Sequence, residues 1–149
     1  YIKSKSLLQK KLEKDEKARL LINPCVDNPE DHLFFQDNGV PMAKQDPVTK
    51  KTSLKGEKSI EVFALFRKPL VDERKELIKD ILLRIAQAKE MFEGIVEARK
   101  SGSKVLEKKF DGLLNTQIGS LAEMTQPDKR FSALAKQLII PFLKENGML

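Results

Sequence analysis

The sequence has few of the residues on which most active sites depend. Its 149 residues include one cysteine, one histidine and no tryptophan. A single cysteine, Cys25, excludes an internal disulfide and favours an intracellular, reducing compartment. One cysteine and one histidine cannot close a tetrahedral zinc site, and nothing marks a third group that would orient Cys25 and His32 as a nucleophile pair. We therefore expect no enzyme, no metal site and no cofactor.

Glycine motifs and long apolar runs are missing as well. The seven glycines form neither GxGxxG nor GxxxxGK, the two patterns that cradle phosphates at the start of a helix. The longest apolar run covers residues 138–143 and is interrupted by Pro141. A membrane-spanning helix needs roughly 18 apolar residues. The sequence thus predicts neither a nucleotide site nor a membrane span.

Charge, by contrast, is plentiful and unevenly distributed. Charged residues make up 34% of the chain, and the net charge is +6. The net charge is +4 over residues 1–23, −4 over residues 24–43, +4 over residues 44–68 and +2 over residues 69–149. The excess positive charge is therefore concentrated in the first 68 residues, whereas the remainder is nearly balanced.

Residues 1–68 predict an extended, partly helical basic arm. A helix is expected over about 4–22, with Pro24 ending it and a thin apolar stripe along it. Alternation of side chains over about 59–66 predicts one short strand whose two faces are both largely apolar. A lone strand leaves its backbone groups unpaired, so this one is expected to pair with residues 32–36 or with an edge that a partner supplies.

Residues 69–149 predict an antiparallel three-helix unit, so the expected fold class is mainly α. The first helix covers about 70–100, and its apolar residues recur every three or four positions. A turn at Ser101–Gly102–Ser103 leads to a second helix that ends near Met124, and a third helix covers about 127–140. The seam of the first helix, assigned to the intramolecular core rather than to a partner helix, consists of Ile78, Ile81, Ile85, Ala88, Phe92 and Ile95.

Two glycines stand seven residues apart on one side of the second helix, Gly112 and Gly119. Each destabilises the helix by about 1 kcal/mol relative to alanine. Two interpretations stay open: a neighbouring helix approaches closely at these positions, or the helix is only weakly stable.

The cations of the arm are the candidate nucleic-acid-binding residues. Lysine ammonium groups on flexible stems suit sequence-independent contacts with phosphates, and the alternative is a solvated helix face. Tyr1 is the only aromatic residue near the first group, so no base-stacking platform is evident. The candidates are Lys3, Lys5, Lys10, Lys11, Lys14, Lys50, Lys51, Lys55, Lys58, Arg67 and Lys68.

Four apolar residues in the predicted strand are the candidate partner-binding residues. Because both faces of that strand are apolar, it is expected to be covered on both sides. The candidates are Ile60, Val62, Phe63 and Phe66.

These features support two hypotheses of function. The first is a non-catalytic structural subunit of a ribonucleoprotein such as an organellar ribosome, whose basic arm is RNA-binding and whose helical unit packs on protein subunits. If the missing initiator Met reflects a cleaved presequence, the mitochondrial matrix is the expected compartment. The alternative is a helical adaptor or scaffold module that binds a protein partner without nucleic acid, its positive charge only steering association.

Overall fold

The computed structural model describes residues 20–23 and 25–148 of the chain. They fall into two compact units, one ending at Val71 and the other beginning at Asp72. The elements are β1 (Leu33–Phe35), β2 (Pro41–Ala43), α1 (Leu54–Val62), α2 (Lys68–Lys100), α3 (Lys104–Met124) and α4 (Ser132–Glu145). The mainly α class is thus confirmed. The helix predicted over 4–22 lies almost wholly outside the described residues.

The first unit contains a short antiparallel hairpin of β1 and β2. Its register pairs Leu33 with Ala43, Phe34 with Met42, and Phe35 with Pro41. The connecting turn has Gly39 in the left-handed region, at φ 82°. Successive side chains of a strand point to opposite faces, so one face can pack on the core while the other is exposed to solvent. Here Leu33 and Phe35 are buried, while Phe34 between them is exposed.

The strand predicted over 59–66 is wrong, because residues 59–62 belong to helix α1 and residues 63–66 form the turn that follows it. That helix begins after Ser53, whose Oγ accepts a hydrogen bond from the Gly56 amide at 3.2 Å. Its buried residues are Gly56 and Ser59, both small. Because small residues form the buried face of this helix, its large apolar side chains do not recur with the helical period. The alternation of apolar side chains over residues 59–66 therefore suggested a strand.

The second unit confirms the three-helix prediction. The α2–α3 turn has Gly102 at φ 71°, with the Ser103 amide donating to the Ala98 carbonyl at 2.9 Å. This bond is characteristic of a Schellman motif, which reverses the chain after a helix. The buried core of the unit contains Ile81, Ile85, Ala88, Ile95, Leu114, Leu121, Ala135, Ile139, Phe142 and Leu143.

Helix α4 differs from the prediction at both ends. It begins at Ser132 rather than near 127, because Phe131 adopts a left-handed conformation with φ 60° that breaks the helical path. It then continues through Pro141 to Glu145. A proline removes one backbone donor and strains the preceding turn, but here it does not end the helix.

Helix α4 is also much shorter than the hairpin on which it packs. Helix α2 has 33 residues and α4 has 14, which correspond to about 50 Å and about 21 Å. Contacts of Phe131 with Arg74 place the start of α4 beside the start of α2. On the hairpin, Phe92, Leu106 and Leu113 are 44%, 46% and 44% exposed, so Phe92 departs from the otherwise buried seam.

Candidate protein interface

Helix α1 is held against the hairpin through its two small buried residues. A Cβ atom on Gly56 would lie 2.3 Å from the carbonyl oxygen of His32 and 3.1 Å from the Cβ of Ala43. Only glycine allows this approach. Ser59 is 1% exposed, and its Oγ accepts a hydrogen bond from the Ile22 amide at 2.8 Å. The packed face of α1 is therefore made of small residues, and its large apolar side chains lie outside this contact.

The chain leaves α1 through a tight reversal. The amide of Leu65 donates to the carbonyl of Ile60 at 3.0 Å, and the amide of Ala64 donates to that of Glu61 at 3.2 Å. Together these two bonds form a Schellman motif, which usually has glycine at the left-handed position. Ala64 occupies that position here, at φ 47°. The reversal fixes the direction in which the following residues emerge.

Three large apolar side chains are exposed at this reversal, and we call them the α1 cluster. Val62, Phe63 and Phe66 are 59%, 46% and 59% exposed. Ile60, the fourth predicted partner-binding residue, is half-buried. Exposed apolar side chains that lie together mark binding surfaces more often than isolated ones do. The structure thus brings the predicted residues together at the end of a helix rather than on a strand, and their role in binding stays a prediction.

A second exposed apolar pair lies on the hairpin. Phe34 and Met42 are direct cross-strand partners, and each is 46% exposed. Sequence reasoning missed this pair. The Asp37–Asn38–Gly39 turn between two short apolar stretches was the available signal, because such a turn favours a hairpin.

Two of the predicted phosphate-binding lysines are engaged with carboxylates. The Nζ of Lys55 lies 2.7 Å and 2.8 Å from the two carboxylate oxygens of Asp27. Hydrogen bonds from Lys55 and from the Asn23 amide hold the pKa of Asp27 below its ordinary value. Lys58 pairs with Glu61 at 2.9 Å, and this contact raises the pKa of Lys58. Their positive charges are therefore largely compensated within the first unit.

The other predicted cations are dispersed. Lys50 and Lys51 are exposed in a turn that Asp46 organises through hydrogen bonds from the amides of Val48 and Thr49. The exposed Arg67 and Lys68 directly follow the α1 cluster. The candidates outside the described residues are Lys3, Lys5, Lys10, Lys11 and Lys14. Binding of phosphate by any of these residues stays a prediction.

The second unit contains a cation–aromatic stack that sequence reasoning did not identify. The guanidinium carbons of Arg74 and Arg130 lie 5.3 Å and 4.8 Å from the centre of the Phe131 ring. Arg130 also pairs with Glu73. Arg74 is 3% exposed, and its burial lowers its pKa. Arginine stacks well on aromatic faces, so the cluster fixes the start of α4.

The described residues contain neither a metal-binding cluster nor a membrane-spanning helix. Over residues 20–23 and 25–148, no group of three or more histidine, cysteine, aspartate or glutamate side chains could hold a metal ion. In the same part of the chain, no helix is long and apolar enough to cross a membrane. The ring of His32 is hydrogen-bonded through Nδ1 to the Oγ of Ser53 at 2.9 Å, beside the start of α1. That contact belongs to the packing of the first unit.

Comparison with known proteins gives one informative similarity. No family model matches the chain, and no solved structure matches it. Over 134 residues the chain is 31% identical to Septu protein PtuB of Bacillus mycoides strain KBAB4. The match includes 85% of this chain and 42% of that protein. The chain therefore spans less than half the length of the curated relative it matches.

This similarity overturns the first hypothesis of function. The relative is a Septu protein of a bacterium, and bacteria have no mitochondria or other organelles with ribosomes of their own. The interpretation as a ribonucleoprotein subunit of an organellar ribosome, and with it the mitochondrial compartment, is wrong. The excess of lysine in the first 68 residues was misleading because composition alone does not distinguish phosphate contacts from ion pairs. The alternative, a helical adaptor or scaffold, agrees better with the comparison.

Proposed function

We propose that this chain is a helical adaptor or scaffold module that binds a protein partner, without nucleic acid, in a multi-protein bacterial defence assembly of the Septu type. The observation that carries the proposal is the similarity to Septu protein PtuB over 134 residues. In this proposal the chain itself is not an enzyme. It works in a reducing intracellular compartment, with which its single cysteine, Cys25, free and exposed, is compatible.

The α1 cluster is the proposed contact surface. Phe63 and Phe66 are aromatic residues, the type that dominates binding energy in protein interfaces. They are also exposed enough for replacement without loss of the core. The ion pairs of Lys55 and Lys58 support a protein partner rather than a phosphate backbone, because these lysines would have to leave a carboxylate first.

The test is retention of a partner by variants of the full chain. The tagged chain is purified from its native host under mild conditions and analysed by native mass spectrometry. Phe63→Ser with Phe66→Ser should abolish a stoichiometric protein partner, since truncating one hot-spot residue costs about 2 kcal/mol or more, roughly 30-fold in Kd. The matched control is Val26→Ser with Val48→Ser, two valines that are 81% and 86% exposed.

Two further controls separate this proposal from a nucleic-acid function. Nuclease treatment should leave the partner bound, and charge reversal of Lys50 and Lys51 to glutamate should barely change its retention. Retention by the phenylalanine variant at the level of the valine control would contradict the proposal. So would loss of the partner on nuclease treatment.

A further inference from the structure

The first two turns of α3 carry three lysines and a valine on their exposed surface, and we call these four residues the α3 patch. Lys104, Lys108 and Lys109 are exposed, and Val105 is 81% exposed. Residues three and four positions apart are neighbours on a helix, so Val105 lies beside Lys108 and Lys109. The patch therefore combines one apolar side chain with three positive charges.

The α3 patch lies on the side of its helix that faces away from the core of the second unit. Val105 precedes the buried Leu114 in the same helix. The separation corresponds to about two and a half turns, which places the two side chains on opposite sides of α3. The packing of the second unit thus leaves the patch uncovered.

The positive charges of the α3 patch are not compensated by nearby carboxylates. Among the residues that the structure describes, no carboxylate pairs with the three lysines of the patch. The neighbouring Glu107 is engaged with Arg99 at 2.6 Å. Asp111, in the next turn, accepts a hydrogen bond from the Nδ2 of Asn115 at 3.3 Å. One carboxylate cannot offset three lysines, so the patch keeps a net positive charge.

The placement of these lysines does not stabilise α3. Lys104 is the first residue of the helix, where the positive end of the helix dipole disfavours a cation. Lys104 and Lys108 are also like charges four positions apart, which destabilise a helix. Folding of the second unit therefore does not account for this arrangement, whereas binding of an anionic group does.

We infer that the α3 patch binds an acidic protein segment, which places carboxylates against the three lysines and an apolar side chain on Val105. This inference rests on the proposed function, because it takes a protein as the partner, and it adds a second contact surface to the α1 cluster. The exposed valine favours a protein over a nucleic acid, since a phosphate backbone offers no apolar group to cover it. Complementary charge around an apolar contact selects partners and accelerates association.

The first test measures binding of three fluorescent probes to the full chain by anisotropy at low salt. The probes carry equal negative charge and are an acidic peptide that contains leucines, polyglutamate and a single-stranded RNA. The leucine-containing peptide should bind about tenfold more tightly than either of the others, because it buries apolar surface on Val105. Equal affinity for this peptide and polyglutamate, or tighter binding of the RNA, would overturn the inference.

The second test locates the binding site with charge-reversed variants. Lys104→Glu with Lys109→Glu should weaken binding of the leucine-containing peptide roughly tenfold, and the difference from the unmodified chain should shrink at high salt. Lys50→Glu with Lys51→Glu, in a turn of the first unit, is the control with the same change in net charge and should leave the affinity unchanged. An equal loss in both variants would show attraction by net charge alone and would refute the site.

Thermal unfolding separates a binding role of these lysines from a structural one. Lys104→Glu places an anion at the start of α3, four residues before Lys108, so the thermal midpoint should rise. A variant that is more stable and yet binds the peptide more weakly does not owe its loss to misfolding. A lower midpoint together with weaker binding would assign the lysines to the fold and contradict the inference.

The proposed function fails by a different result. Its test is the retention of a protein partner by the Phe63 and Phe66 variant of the chain purified from the native host. Unchanged peptide affinity in the Lys104 and Lys109 variant refutes the acidic segment and leaves that retention unaffected. Retention of the partner by the phenylalanine variant refutes the α1 cluster as a contact surface and leaves the peptide affinities unaffected.

Discussion

Replacing Gly56 by alanine places a methyl group where the hairpin already lies. The added Cβ would be 2.3 Å from the His32 carbonyl oxygen and 3.1 Å from the Cβ of Ala43. Carbon and carbonyl oxygen normally approach to about 3.3 Å at closest. Because both neighbours are parts of a paired backbone or attached directly to it, they cannot rotate away. Helix α1 must therefore move outward by about 1 Å.

The expected loss of stability follows from this displacement. Overpacking of a close contact costs about 1–3 kcal/mol. The outward shift also lengthens the bond that the Ile22 amide donates to Ser59, which contributes about 1 kcal/mol. The higher helix propensity of alanine offsets about 1 kcal/mol of this loss of stability. We therefore expect a net decrease of about 1–3 kcal/mol in the free energy of unfolding of the first unit.

The chain provides matched controls for this substitution. Added Cβ atoms at Gly112 and Gly119 meet nothing within 4 Å, so alanine there should stabilise α3 by up to about 1 kcal/mol per site. Urea unfolding followed by circular dichroism measures the change. Amide exchange read by mass spectrometry assigns it to residues 33–62. A Gly56→Ala variant as stable as Gly112→Ala would refute the described packing of α1.

Three further predictions concern local conformation and charge. Ala64→Gly should raise the thermal midpoint, because it relieves a left-handed alanine and adds roughly 0.5–1 kcal/mol, whereas a lower midpoint would contradict the Schellman motif. Phe131→Ala should lower the free energy of unfolding of the second unit by about 1–3 kcal/mol in urea, since both arginine contacts are lost, and an unchanged midpoint would mean that the stack contributes nothing. The folded pKa of Asp27 is depressed from 3.8, so its contribution to stability is fully present above pH 3.8 and is lost as the pH falls through the lower folded value. Asp27→Asn should therefore flatten acid unfolding of the first unit monitored by amide exchange, and an acid profile identical to that of the unmodified chain would exclude this carboxylate as a source of the pH dependence.

The helices of the second unit could be predicted because their signals are long and repetitive. Ile78, Ile81 and Ile85 recur at the helical period, and a glycine at residue 102 marks the reversal. The start of α4 could not be predicted, since the left-handed conformation of Phe131 depends on contacts with side chains distant in sequence. The interpretation that a neighbouring helix approaches closely at Gly112 and Gly119 is wrong, because a Cβ atom at either position would meet nothing within 4 Å. The close approach occurs at Gly94, where a Cβ would lie 2.9 Å from the Phe110 ring.

The candidate interface shows a different limit of sequence reasoning. Val62, Phe63 and Phe66 were selected on the assumption of a strand, and they are exposed on a helix end instead. The sequence identifies these residues as apolar whether they lie on a strand or at the end of a helix. The sequence could not show which lysines pair with carboxylates, because the partner of Lys55 is Asp27, 28 residues earlier in the chain.

The difference in length between α4 and the α2–α3 hairpin has a consequence for the order of opening. Where α4 ends, each remaining helix packs against one neighbour instead of two, and Phe92 and Leu106 retain contact with solvent. Segments with few buried contacts open at lower free energy than the rest of a domain. The distal tip of the hairpin should therefore fray as a separate subglobular event, while the end bearing Phe131 exchanges its amides only on global unfolding.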